Sequence, residues 1–522
     1  MNRQSRQSIT SSSVCALVSL LGLACGDAGN GTATASASGT TGQPTGAGAT
    51  DGGTAELPTT DASPSDGSHG ATEGADTTGV AQPGTTAGDT GPATSAGDSS
   101  SSGGIKFDVT GGDATGNNTT EGPMGKGSCR PSEIYGASGG FPDFSDPAFA
   151  NFKDKAILVT TSNAQEDGFV LHIFDISGPP PPPNLNYLAP RYHNPGWTKP
   201  ALGSLFGLTL DSAGNIYVAS TTVYGPNPDP ATIKRIDGVT GEITVLATLP
   251  NNGPQIGNIN YDCVSETIYA SNHDDGRIYQ VDMSGTIVST YSHALQDVTM
   301  GPANDPGEPN GVFMPLGKRP WAVQSHAGRL YYSIWWENSN KENPTENNEI
   351  WSVGYVDDSG VPDPTTAKKE FDIPPLQGNN FSNPVSDISF AATGWMLVSE
   401  RTMFGDDQTL AHSSTTYEYD FNNGAWELKG TTFVVGELPN SAAGGVDHDF
   451  SEGGYVWMTG DALDFYTPDV VYGLQGTPHA GGDIKNSTLI DLDNEVINQD
   501  KTAMGDVEVP IPGDAMPVPP PQ

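Results

Sequence analysis

The stretch Phe206-Gly207-Leu208-Thr209-Leu210-Asp211-Ser212-Ala213-Gly214-Asn215-Ile216-Tyr217-Val218-Ala219 decides how this chain reads. An apolar run with alternating character is followed by Asp-Ser-Ala-Gly-Asn and then by a second run of β-branched and aromatic residues. Asp offers a side-chain acceptor to the turn and Gly accepts positive φ, so the pattern is two short strands joined tightly. Neither run is long enough for a helix.

The second run recurs. It reads Ile157-Leu158-Val159-Thr160, Ile268-Tyr269-Ala270-Ser271, Leu330-Tyr331-Tyr332-Ser333, Met396-Leu397-Val398-Ser399 and Val456-Trp457-Met458-Thr459, each closed by a small residue, and the starts advance by roughly 52 to 66 residues. A third run follows in most units, as in Ile233-Lys234-Arg235-Ile236-Asp237 and Ile278-Tyr279-Gln280-Val281-Asp282, and its Asp opens a tight Gly-containing turn. No helical period is sustained anywhere in this part. Six units of four strands can bury their faces only against one another, which predicts an all-β fold, a six-bladed β-propeller. A two-sheet sandwich or a β-solenoid is the competing arrangement.

The first unit has no room for an innermost strand ahead of Ile157. Gly505-Asp506-Val507-Glu508-Val509 matches Ser386-Asp387-Ile388-Ser389-Phe390, the inner strand of the fifth unit. A C-terminal strand is therefore expected to complete the first blade and close the ring, which also removes exposed sheet edges.

Upstream, Arg3 and Arg6 precede a short apolar run and small residues, the pattern of a signal peptide over residues 1–24. Leu21-Gly22-Leu23-Ala24-Cys25 resembles a bacterial lipobox, with Gly22 where that pattern prefers Leu; the resemblance implies a lipid on Cys25. The alternative is a secretory signal cleaved near Ala24 that leaves a free thiol. Residues 25–125 read as a disordered Gly/Thr/Ser/Asp-rich tether, because Leu57 and Val80 are the only sizeable aliphatic side chains between Gly26 and Gly104. About 100 such residues span about 50–60 Å. The head is expected over 126–512, with a Pro-rich disordered tail at 513–522.

A net charge of −40 spread along tether and head argues against nucleic acid, whose phosphates need a basic footprint. Contact with the membrane is expected only through the N-terminal lipid, at the cell envelope or outer surface. Of four cysteines, Cys129 and Cys263 fall in the head, and in an exported protein they are expected to form a disulfide.

The segment 206–218 and its counterparts resemble NHL-repeat and gluconolactonase-like propellers, in which an inner apolar strand, an Asp-x-x-Gly-Asn turn and an Ile-Tyr-Val strand recur. The long connections, at 221–231, 337–348, 402–414 and 461–468 between second and third strands and at 292–320 and 374–385 between blades, fall on one face. Binding residues concentrate on such loops. At the mouth on that face the alignment places Asn258, Asp387 and Asp506 on inner strands, and Asn272, His273, Glu400, Arg401 and Asp461 at the ends of second strands. Trp335 and Trp336 precede the loop at 337–348, where a paired Trp either stacks on a sugar or fills space between blades.

The resemblance implies an axial divalent metal; Asp387, Asp506, Asn258 and Glu400 are the oxygen donors here for a Ca²⁺. No zinc-protease helix, acyl-nucleophile elbow or phosphate-cradling loop is present. His448, between Asp447 and Asp449, reads as structural, because neighbours on a strand point to opposite faces. Two functions remain. The first is a non-enzymatic head that binds a protein, glycan or peptide through the long-loop face; the second is a metal-dependent hydrolase or lactonase. Metabolic labelling with a fatty-acid analogue is expected to mark the parent protein and not Cys25→Ser; an unlabelled parent would remove the anchor.

Overall fold

The computed structural model describes residues 140–510 apart from breaks at 164–167, 225–226, 228, 230, 251–255, 304–311, 339–345, 377–379, 392–393, 430–432, 450–453, 466–469 and 494–500. The expected signal peptide, Cys25, the tether, Cys129 and the Pro-rich tail lie outside the described residues.

Six antiparallel sheets radiate from one axis. Their inner strands are Ala503–Glu508 in blade 1, Leu205–Leu210 in blade 2, Ile256–Asp262 in blade 3, Arg319–His326 in blade 4, Val385–Phe390 in blade 5 and Ala442–His448 in blade 6. Each packs against the next, and blade 6 packs against blade 1, so the ring is closed. The recurring apolar motifs are the second strands of the six blades, as the repeat predicts. Among the described residues the helical content is one four-residue helix, Lys199–Leu202, and three short 3₁₀ turns.

Closure uses both ends of the head. The C-terminal strand pairs with Ile157–Asn163, with Thr160 opposite Val507. In the other direction, Asn184–Tyr187, just after the proline run, leaves blade 1 and adds a parallel fifth strand outside Thr488–Asp491 of blade 6. Pro180, in the proline run at 179–183, meets the same edge, where the Thr488 hydroxyl donates to Pro180 O at 3.1 Å. Apolar layers fill each of the six blade interfaces. Leu158, Phe174, Trp457, Leu474, Ile490 and Val507, for example, join blade 6 to blade 1. Each such side chain contributes about 1.5–3 kcal/mol by leaving water.

The small residue closing the second strand bonds across a blade interface in blades 3, 4 and 6, and in blade 1 the next residue, Thr161, does so. Every inner strand is out of register with its second strand near the same end, where a bulge leaves backbone groups unpaired. In blade 4 the Ser333 hydroxyl accepts from Ala322 N at 2.9 Å and donates to Val385 O of blade 5 at 2.7 Å. Thr459 does the same from Gly445 N to Gly505 O at 2.8 and 2.9 Å, and Thr161 from Asp506 N to Phe206 O at 2.9 and 2.6 Å. Ser271 likewise links Asn258 N to Trp321 O. In blade 2 the position is Ala219, and the link to blade 3 is Tyr261 N to the Thr209 hydroxyl at 3.1 Å. In blade 5 the Ser386 hydroxyl reaches Gly444 O of blade 6 at 3.1 Å.

Ser333→Ala would strand a buried N–H and a buried carbonyl. It is expected to cost about 1–3 kcal/mol in chemical denaturation without changing the far-ultraviolet spectrum; an unchanged midpoint would show that the hydroxyl does not hold blades 4 and 5 together.

Candidate functional site: the axial carboxyl pair and its cover

At the bulge, each inner strand presents two consecutive residues to the axis: Gly505-Asp506, Phe206-Gly207, Gly257-Asn258, Trp321-Ala322, Ser386-Asp387 and Gly444-Gly445 for blades 1 to 6. The pattern alternates. Blades 1, 3 and 5 carry Asp506, Asn258 and Asp387 in the second place, where blades 2, 4 and 6 carry Gly207, Ala322 and Gly445. The small residues are required by space: a Cβ on Gly207 would sit 2.9 Å from Asn258 Oδ1, and one on Gly445 would sit 2.8 Å from Asp506 Cα.

The three polar residues converge. Asn258 Nδ2 donates to Ser386 O at 3.1 Å and to Asp387 Oδ1 at 3.3 Å, while its Oδ1 accepts from Ile259 N at 2.7 Å. Asp387 Oδ2 accepts from Val446 N of blade 6 at 2.8 Å, and Asp506 Oδ1 from Val507 N at 2.9 Å. Burial raises both carboxyls above the ordinary range, and for Asp506 the charge of Asp387 beside it adds to the rise. Asp506 Oδ2 has no hydrogen-bond donor among the described residues. Two buried carboxyls side by side disfavour ionising together. One turn further along the strands, Asp447 accepts from the Ser389 hydroxyl at 2.6 Å and from Val509 N at 2.7 Å; burial lifts it to about 6.

An apolar cover closes the long-loop side. Phe206 and Trp321 are fully buried, with ring centroids 5.5 Å apart although they belong to blades 2 and 4. Phe206 also reaches blade 6, where a Cβ on Gly444 would meet its Cε2 at 3.1 Å. Val223, Trp335 and Met403 complete this cluster. Beneath it Asn258 and Asp506 are 1 % exposed and Asp387 6 %, so none of them is a rim group.

The other expected site residues are placed as follows. Arg401 is fully buried and pairs with Asp461 Oδ2 at 2.7 Å. Its Nη1 donates to Ala443 O at 2.9 Å and to Met504 O at 3.4 Å, while Asp461 Oδ1 accepts from Met504 N at 3.1 Å. This pair joins blades 5 and 6 to the closing strand. Asp461 lies within Tyr455–Phe465, a second strand that runs on into the region expected as loop. Glu400 Oε2 accepts from Thr415 N at 3.2 Å beside the third strand of its own blade. The Trp335 indole donates to Glu337 O at 2.7 Å and to the Ser382 hydroxyl at 2.6 Å, and Trp336 is wedged against Gly317. Asn272 caps its own turn through Asp274 N at 2.9 Å. The His273 ring lies 4.9 Å from Trp321, where burial pushes its pKa well down and keeps it neutral. His448 is likewise buried and held neutral, with its pKa lowered to about 3 by desolvation.

Of the four donors named for a Ca²⁺, Asn258, Asp387 and Asp506 converge at the axis, and Glu400 accepts from Thr415 N beside the third strand of blade 5. Asn258 turns its amide N–H toward Asp387, and burial together with the neighbouring Asp387 charge raises Asp506. Among the described residues no group of three His, Cys, Asp or Glu side chains has metal-binding geometry. The hydrogen bonds of Asn258 and Asp387 tie the inner strands of blades 3, 5 and 6 across the axis, with the Asp506 carboxyl of blade 1 beside them.

No family model matches the chain, and no curated protein does. Solved structures are similar in fold. The nidogen/laminin complex is matched at 12 % identity and TM-score 0.38, over 68 % of this chain and 98 % of that one. A periplasmic gluconolactonase of Pseudomonas aeruginosa is matched at 14 % and 0.38, over 70 % and 99 %. A putative 6-phosphogluconolactonase from Bacteroides uniformis is matched at 11 % and 0.35, over 67 % and 100 %. Likeness at this level carries no argument about activity. The class defined here is a closed six-bladed β-propeller with a sealed polar axis.

A carboxyl raised on folding stabilises most when protonated in both states. The Asp387 contribution is therefore full below the ordinary carboxylate range and lost as pH rises through about 7. Asp387→Asn is expected to flatten the fall in stability between roughly pH 4 and 7 by at most about 1.4 kcal/mol per pH unit. Parallel parent and variant curves in urea would show that the pair does not titrate there.

Proposed function

We propose that this chain is an exported envelope lipoprotein whose propeller head binds a protein, glycan or peptide through its long-loop face, without catalysis. The observation that carries the reading is the contrast between axis and rim. The axial carboxyls are consumed in a buried tie, whereas the connections around them hold out large apolar side chains. Val312, Phe404, Leu438 and Phe465, all on long-loop connections or at the tip of the extended hairpin of blade 6, are each between 39 % and 50 % exposed. Apolar groups on loops fixed by a rigid ring mark an interaction face. Phe404 lies 6.3 Å from Phe381, and Phe465 5.5 Å from His412, so these rings are held rather than loose.

A hydrolase of the gluconolactonase-like type needs an open axis and a cation. Calorimetric titration with Ca²⁺ is expected to give no heat and no change in melting temperature, and lactones are expected to go unhydrolysed. Glycan and peptide arrays probed with the full-length protein are expected to give hits that Phe404→Ser/Phe465→Ser weakens about tenfold or more, the loss of about 1.4 kcal/mol or more from two aromatic contacts. Saturable Ca²⁺ binding with lactone turnover abolished by Asp387→Asn would overturn the reading.

A further inference from the structure

The opposite face, formed by the short turns, holds a cavity of about 290 Å³ between blades 3 and 4, lined by Asp262, Cys263, His326, Tyr355, Asp357 and Asp358 among others. Asp262 forms its floor, fixed by the Ser325 hydroxyl at 2.8 Å and by Ser265 N at 2.9 Å. Asp357 and Asp358 stand exposed at its rim, and hydrogen bonds from Ser359 hold the Asp357 carboxyl below the ordinary range. Cys263, in the turn after the inner strand of blade 3, is in a disulfide whose other cysteine lies outside the described residues.

The described chain enters the head on this same face. Gly140 fits against Asp211 O and Gly214 in the corresponding turn of blade 2, where a Cβ would have no room. Asp143 N then donates to Gly238 O at 2.8 Å and Ser145 N to Val239 O at 2.7 Å, both in the next short turn of that blade. From Gly140 back to Cys129 the chain can extend about 37 Å at most, and the turn holding Cys263 is on the adjacent blade. Cys129 is flanked by Lys126 and Arg130, the two basic residues between positions 107 and 140 of a chain with net charge −40.

We propose that the cavity seats the root of this chain's own stalk: residues 126–130, tied by a Cys129–Cys263 disulfide, lay Lys126 and Arg130 against Asp262, Asp357 and Asp358. Charge complementarity and the covalent tie select this occupant over a free basic ligand.

The test uses the purified full-length protein. Non-reducing peptide mapping is expected to recover Cys129 joined to Cys263. Amine acylation is expected to modify Lys126 about tenfold more slowly than Lys106, which lies in the tether and serves as the internal reference. The Asp357→Asn/Asp358→Asn double variant, altered only at exposed positions, is expected to bring the two rates together while the disulfide persists. A free Cys263 thiol, a bridge to another cysteine, or equal acylation of Lys126 and Lys106 in the parent would overturn the clamp.

Discussion

Because a bulge near the mouth of each blade leaves inner-strand N–H and C=O groups without ladder partners, the ring stands only while a neighbour satisfies them. The second-strand hydroxyls of Thr161, Ser271, Ser333 and Thr459 each accept from their own inner strand and donate to the next. A blade removed from the ring would therefore strand buried polar groups as well as apolar faces, and unpaired buried backbone is costly. Closure is accordingly reinforced twice, by the C-terminal strand inside blade 1 and by Asn184–Tyr187 outside blade 6. The buried Arg401–Asp461 pair also secures the closing strand. Both residues hold the backbone of Met504, and removing either would leave its partner charged and alone.

The six blades are not equivalent at the axis. Polar side chains come from blades 1, 3 and 5, and Phe206 and Trp321 come from blades 2 and 4 one residue earlier, so an apolar layer lies directly over a polar one. In the polar layer two carboxyls lie side by side, and burial raises both above the ordinary carboxylate range. The axial carboxyls are buried and bonded across the ring, whereas Phe404, Leu438 and Phe465 stand exposed at the rim.

The blade count, the second strands and the closing segment were legible in the chain, since a strand buried on both faces needs apolar residues and its turns need Asp and Gly at fixed offsets. The role of the small residue ending each second strand was visible only as a pattern, because a hydroxyl says nothing about which carbonyl it will meet. The axial alternation was also present in the letters, but the bulge hides it: one extra residue shifts which side chain faces the axis, and the six dipeptides align only once the register is known.

Sequence by itself determined the ring and its closure, because periodic apolar burial is a local property repeated six times. Tertiary structure alone decided what the polar residues do. Asp387 and Asp506 are 119 positions apart in the chain and Arg401 is 60 from Asp461, and whether such groups meet a solvent, a cation or each other depends on how closely the blades approach and on what covers them. Two rings from blades 2 and 4 closing over the axis turned expected rim ligands into buried ties, and no spacing along the chain encodes that approach.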